Sequence, residues 1–131
     1  FMNMGFFKKL AYDEVAREGN KVIMLKAFEP VELPVLHKLD YQYEAVPGKV
    51  VVDAFWSSMC PTTIKEIINI REVCPEFGDA VLLNEYNCDD GHLLEKHQTA
   101  RALFINGEQK DYGDSGTKEE LREEIEKAKG D

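Results

Sequence analysis

Cysteine, histidine and basic side chains are all scarce in this 131-residue chain. There are three cysteines and three histidines, and acids outnumber bases 25 to 16 for a net charge of −9. That balance excludes binding to nucleic-acid phosphate or an anionic membrane through bulk charge. No apolar run approaches the ~20 residues of a membrane span. Nothing reads as a charged segment followed by a secretory apolar stretch, so the expected compartment is the cytoplasm. Three cysteines in irregular context fit free thiols in a reducing compartment better than a secreted disulfide framework. No paired Cys or His spacing supplies the four ligands of a structural zinc, and no metal or cofactor site is expected. Internal repeats and low-complexity tracts are absent too.

What is present is a fold signal between Gly48 and Ala128. Lys49–Phe55 is nearly continuously apolar and β-branched, as expected of a parallel strand buried on both faces. Pro61 suits the first position of a helix, where its missing N–H costs nothing. Ile64, Ile67, Ile68, Ile70, Val73 and Cys74 then form an apolar stripe at helical spacing, ended by Pro75 and Gly78. A second strand is expected over Ala80–Tyr86, parallel to the first, followed by the polar loop 87–91 and a short helix around His92–His97. Asn106-Gly107 suits the two positive-φ positions of a type I′ turn between Ala102–Ile105 and Glu108–Tyr112. Thr117 and Glu120 make a capping box ahead of Leu121, Ile125 and Ala128 on one helical face. The class is therefore α/β, with a central mixed sheet. Residues 1–29 read as a separate extension, with a turn at Gly19-Asn20 and a strand over Lys21–Phe28. Residues 30–47, with Pro30, Pro34 and Pro47, read as a linker.

The segment Phe55-Trp56-Ser57-Ser58-Met59-Cys60 resembles the Phe-Trp-Ala-x-Trp-Cys of thioredoxin-like proteins. Leu83–His97 and Phe104-Ile105-Asn106-Gly107-Glu108 are similar to that family's second strand, acidic loop and hairpin. The resemblance implies a thioredoxin-like three-layer sandwich over 48–131. The sequence departs from the family in three places. Thr63 stands where the second cysteine of Cys-x-x-Cys belongs, Thr99-Ala100-Arg101 lacks the family's cis-proline, and Asp53 comes one residue earlier than the buried acid. Met4-Gly5-Phe6 followed by Val22-Ile23-Met24-Leu25-Lys26 resembles the C-terminal tail of a GCN5-related acetyltransferase domain. A chain that opens on Phe1 is then expected to be the C-terminal accessory part of a longer acetyltransferase-type protein.

Cys60 is the principal candidate. At the N-terminus of a helix it faces unpaired N–H groups and the positive end of the helix dipole, which lower a thiol pKa. Thr63, one turn into the helix, is placed to donate its hydroxyl to the Cys60 sulfur, and Arg101 to lower the Cys60 pKa further. Cys88, in a loop at the carboxyl end of the second strand, is a candidate resolving thiol. Cys74 lies about 21 Å from Cys60 along one helix and is structural. His92 and His97 are expected to face solvent, and Asp89-Asp90 to be a solvated loop. The expected function is that of a single-cysteine thioredoxin-like domain which attacks a disulfide or oxidant and holds a protein or small thiol partner as a mixed disulfide. Two alternatives stand beside it. One is a peroxiredoxin-like peroxidase using Cys60, Arg101 and Ser57, from the similarity of Ser57-x-x-Cys60-Pro61-Thr62 to that family's Thr-x-x-Cys-Pro-Thr. The other is a non-catalytic interaction domain.

Overall fold

The structure is a computed structural model that describes residues 3–19, 21–111 and 116–130. Asn20 of the expected turn, Tyr112 of the expected strand and Phe1 lie outside the described residues. The protein is mixed α/β and divides into two units, residues 1–38 and 39–131. No described helix is long and apolar enough to cross a membrane.

In the first unit, helix α1 (Met4–Lys9) is capped by Asn3, whose side chain accepts from the Phe6 N–H at 3.1 Å. Strands β1 (Asp13–Glu18) and β2 (Lys21–Leu25) pair antiparallel, with a register shift between Glu14 and Ala16. The sequence pointed to the strand from Lys21 but not to α1 or β1. The shift breaks the alternation in β1 by which a strand is read.

The second unit is built on β3 (Val50–Trp56). It pairs parallel with β4 (Val81–Asn87) and antiparallel with β5 (Ala102–Ile105), and β5 pairs antiparallel with β6 (Glu108–Lys110). The sheet order is β4-β3-β5-β6. Alternate residues of β3 point to opposite faces. Val50, Val52 and Ala54 pack with Ile67, Ile70 and Val73 of α2 (Pro61–Val73) and with Leu121 and Ile125 of α4 (Lys118–Gly130). The buried stripe of α2 is narrower than expected, because Ile68 is turned outward and exposed. After α2 the chain tightens into a 3₁₀ segment, Cys74–Ala80, and Gly78 takes a positive φ before β4. Thr117 and Glu120 form the expected capping box. The Glu120 carboxylate accepts from the Thr117 N–H at 2.8 Å, and Thr117 Oγ1 accepts from the Glu120 N–H at 3.2 Å.

The other face of β3 carries Asp53 and Phe55. Phe55 stacks on Tyr86 with ring centroids 4.4 Å apart, and Tyr41 stacks on Phe104 at 3.6 Å. Leu39 and Tyr41, from the stretch read as a linker, pack on this face. So does His97, at the end of α3 (Gly91–His97), whose ring meets Phe55 and Tyr86 edge-on. The expectation that His97 faces solvent is overturned: it is 8% exposed, and its Nδ1 lies 2.8 Å from the Asp40 carbonyl. His92 is exposed as expected. The free edge of the short helix hid this, because a histidine on two turns of helix carries no periodicity to mark an inner face.

The hairpin turn adopts the expected geometry, with φ of 48° at Asn106 and 81° at Gly107. Asn106 also extends the ladder, since its Oδ1 accepts from the Val51 N–H at 2.9 Å. A Cβ on Gly107 would lie 2.8 Å from Tyr43 Cγ. Gly107→Ala therefore meets both left-handed strain and a ring that must move. We expect it to lower unfolding stability by about 1–2 kcal/mol in urea titration.

Candidate functional site

Strand β3 runs out at Trp56, and the loop Ser57-Ser58-Met59 delivers Cys60 to the N-cap of α2 with extended backbone, φ −115° and ψ 109°. A helix leaves its first four N–H groups without intrahelical partners. Here the Cys60 N–H donates to the Ser57 carbonyl at 3.2 Å, and Pro61 has no N–H to satisfy. The N–H groups of Thr62 and Thr63 remain. As a thiol, Cys60 closes no side-chain cap bond with them. They nevertheless lie close enough to favour the anion, because a thiolate is a far stronger acceptor than a thiol. The Thr63 N–H is the largest influence lowering the Cys60 pKa. Burial opposes it, and the Thr62 N–H and the hydroxyls of Thr63 and Thr62 add to it. Cys60 is half-buried and within reach of solvent, and Met59 beside it is 87% exposed.

Thr63 is fully buried, and its closest bonds serve the loop rather than the sulfur. Its hydroxyl lies 2.7 Å from the Ser57 carbonyl and 2.9 Å from that of Cys60, and it accepts from the Ser57 N–H at 3.2 Å. The residue at the position of a second thiol thus fixes the turn that presents the first one.

Asp89 fixes the same turn from the other side. Its carboxylate accepts from Ser57 Oγ at 2.6 Å and from the Ser58 N–H at 3.1 and 3.2 Å, and Ser57 Oγ in turn accepts from the Met59 N–H at 3.2 Å. The bond from Ser57, followed by those from Ser58, holds the Asp89 pKa below the ordinary carboxylate range. The reading of Asp89-Asp90 as a solvated loop missed this. The signal available was an acid two residues beyond the end of β4, a strand parallel to and in register with the one that ends at Trp56. Asp90 caps α3, accepting from the His92 N–H at 2.9 Å.

Arg101 sits one residue before Ala102, which pairs with Phe55, so it stands at the same sheet end as the Cys60 loop. Its Nε donates to the buried Glu66 of α2 at 3.3 Å. Glu66 is thus a further residue of this neighbourhood. Arg101 is not among the groups that lower the Cys60 pKa. Cys88 is buried in the apolar cluster of Phe55, Ala102 and Phe104, its N–H donating to the Trp56 carbonyl at 2.7 Å. Burial raises its pKa, while the backbone of Trp56 lowers it. Cys74 is buried beneath α2, and burial pushes its thiol up to about 11. All three cysteines are free thiols, and among them only Cys60 is held toward the thiolate. Asp53 sits on the face of β3 opposite α2. Among the described residues no group of three or more His, Cys, Asp or Glu could hold a metal ion.

Two measurements check this geometry. Iodoacetamide should modify one cysteine in the native chain, Cys60, with a rate that titrates below the ~8.5 of a free cysteine. The Asp89 clamp is a lowered-pKa carboxylate. Its contribution is complete above the unfolded value of about 3.9 and is lost as pH falls through the lowered folded value. Asp89→Asn should therefore be less stable than wild type at neutral pH, with the difference in urea midpoint vanishing in strong acid.

No known protein-family model matches this chain, and no curated protein sequence matches it.

Proposed function

We propose that Cys60 is the single working thiol of a thioredoxin-like domain over residues 48–131, which captures a protein or small-molecule thiol partner as a mixed disulfide. We further propose that this domain is the C-terminal accessory module of an acetyltransferase-type protein, whose tail is residues 1–29. The element order of strand, helix, strand, short helix, hairpin and helix supports the fold reading, as does the mixed sheet centred on β3. The observation that carries the chemistry is the lowered pKa of Cys60 at the N-cap of α2, with Thr63 in place of a neighbouring thiol.

In the proposed step the Cys60 thiolate attacks one sulfur of a disulfide. The new S–S bond forms as the old one breaks, and the departing sulfur leaves with the bonding electrons and takes a proton from water. Thr63 has no sulfur with which to attack the mixed disulfide in turn. Cys88 and Cys74 are buried, with pKa values raised by burial, so neither is primed as a thiolate. The adduct would therefore persist until an external thiol removes it. Such a domain binds and holds more readily than it turns over. The ion pair between Arg101 and Glu66 gives that arginine a structural partner, which favours capture over a peroxidase reading built on Arg101.

Incubating the full chain with glutathione disulfide and measuring intact mass tests the proposal. One glutathione adduct on Cys60 is expected, stable without added thiol and absent in Cys60→Ser. Absence of the adduct, together with an alkylation profile at the ordinary cysteine value, would leave the interaction-domain reading. Rapid peroxide consumption dependent on Cys60 and Arg101 would instead establish the peroxidase.

A further inference from the structure

The face of β3 opposite α2 holds a cleft of about 260 Å³, lined in part by Asp40, Glu44, Asp53, Asn84, Tyr86 and His97. Its volume is several times the ~30 Å³ share of one liquid water. Two buried groups in its lining are incompletely served. Asp53 is 3% exposed, and its described hydrogen-bond partners are neutral: Tyr41 Oη at 2.7 Å, Asn84 Nδ2 at 2.9 Å and Tyr86 Oη at 3.5 Å. A buried carboxylate without a counter-charge is expensive, and a cation beside it repays part of the desolvation. Burial, then the hydrogen bond and charge of Asp53, raise the Tyr41 pKa, so Tyr41 remains a neutral donor.

His97 is the second group. Its Nδ1 lies against the Asp40 carbonyl, which can only accept, so Nδ1 carries the hydrogen. In the neutral ring Nε2 is then an acceptor, and it is buried with no partner among the described residues. An orphaned buried polar atom calls for a missing partner, since native structures rarely leave one unpaired. The cleft therefore combines a buried carboxylate whose described hydrogen-bond partners are all neutral with a buried acceptor that has no donor among the described residues, and the carboxylates of Asp40 and Glu44 add negative charge at its exposed margin. Among the described residues Lys96 is the one lysine or arginine in the lining, and it is not among the described hydrogen-bond partners of Asp53.

We propose that this cleft is a binding site for a small organic cation bearing a primary ammonium group. The ammonium supplies both missing elements, positive charge for Asp53 and N–H donors for the acceptor-rich wall, with the Tyr86 ring as part of that wall. A divalent metal fits less well, because the lining does not gather three ligating side chains at metal spacing. The site lies on the opposite face of β3 from α2, so it does not rest on the thiol chemistry proposed for Cys60.

Titration of the full chain with 1,4-diaminobutane, followed by ¹⁵N NMR of the histidine side chains and by calorimetry, tests the site. Saturable binding at millimolar concentration with a shift of the His97 ring resonances is expected. Asp53→Asn should weaken it by about tenfold or more, and Glu44→Gln, at an exposed position, by a few-fold. Glu123→Gln, on the exposed face of α4, and Cys60→Ser should bind as wild type. Tetramethylammonium, which has the charge but no N–H, should bind at least about tenfold more weakly. The proposal is overturned if the diamine does not saturate, if tetramethylammonium binds equally well, or if Glu44→Gln and Glu123→Gln behave alike. The last result would mark nonspecific attraction to an acidic surface.

Discussion

Strand β3 is hydrogen-bonded on both sides, to β4 and β5, and buried on both faces from Val50 to Phe55. A strand in that position has no freedom of register, because a slip by one residue would exchange its two faces. Val50, Val52 and Ala54 would then leave the helices, and Asp53 would enter an apolar core without donors. The fixed register sets where the strand ends, and the strand end sets where Cys60 stands. It also decides that Asp53 and Phe55 look toward Tyr41, Tyr86 and His97 instead of toward α2. Two regions of different chemistry thus hang on one seven-residue strand.

At the carboxyl end of β3 the chemistry is electrostatic and local. Pro61 removes one helix N–H and Ser57 accepts the Cys60 N–H, so the donors left near the sulfur are few and directed. Thr63 and Asp89 brace the turn from within and from across the sheet. The ion pair of the buried Glu66 with the partly exposed Arg101 ties the start of β5 to α2 and keeps the buried carboxylate of the helix paired. Surface pairs such as Arg71 with Glu85 and Arg122 with Glu76 tie α2 to β4 and α4 to the 3₁₀ segment, each worth little on its own.

The features legible in the sequence are those whose partners lie within a few residues. Pro61 at the helix start, the Asn106-Gly107 turn and the Thr117–Glu120 box are local devices, and each occupies its expected place. The apolar run of β3 was equally plain. The stripe of α2 was readable in outline, but Ile68 fell outside it, because helical spacing gives a face only to within a residue's rotation. What could not be read depends on groups far along the chain. Asp89 meets Ser57 across 32 positions, and His97 meets Asp40 across 57. Neither pairing leaves a trace in local composition, and an exposed loop acid or a helix-end histidine looks the same whether or not a partner waits for it.

The sequence by itself determined the main strands and helices between Val50 and Gly130, the α/β class and the one thiol placed at a helix N-terminus, because propensity, turn chemistry and capping act over a few residues. Only the tertiary structure decided which thiols are buried, that Thr63 and Asp89 brace the Cys60 turn, and that Asp53 and His97 meet in one cleft. Those outcomes follow from strand register and from the packing of the second sheet face, and both are set by contacts between residues that the chain brings together only once it has folded.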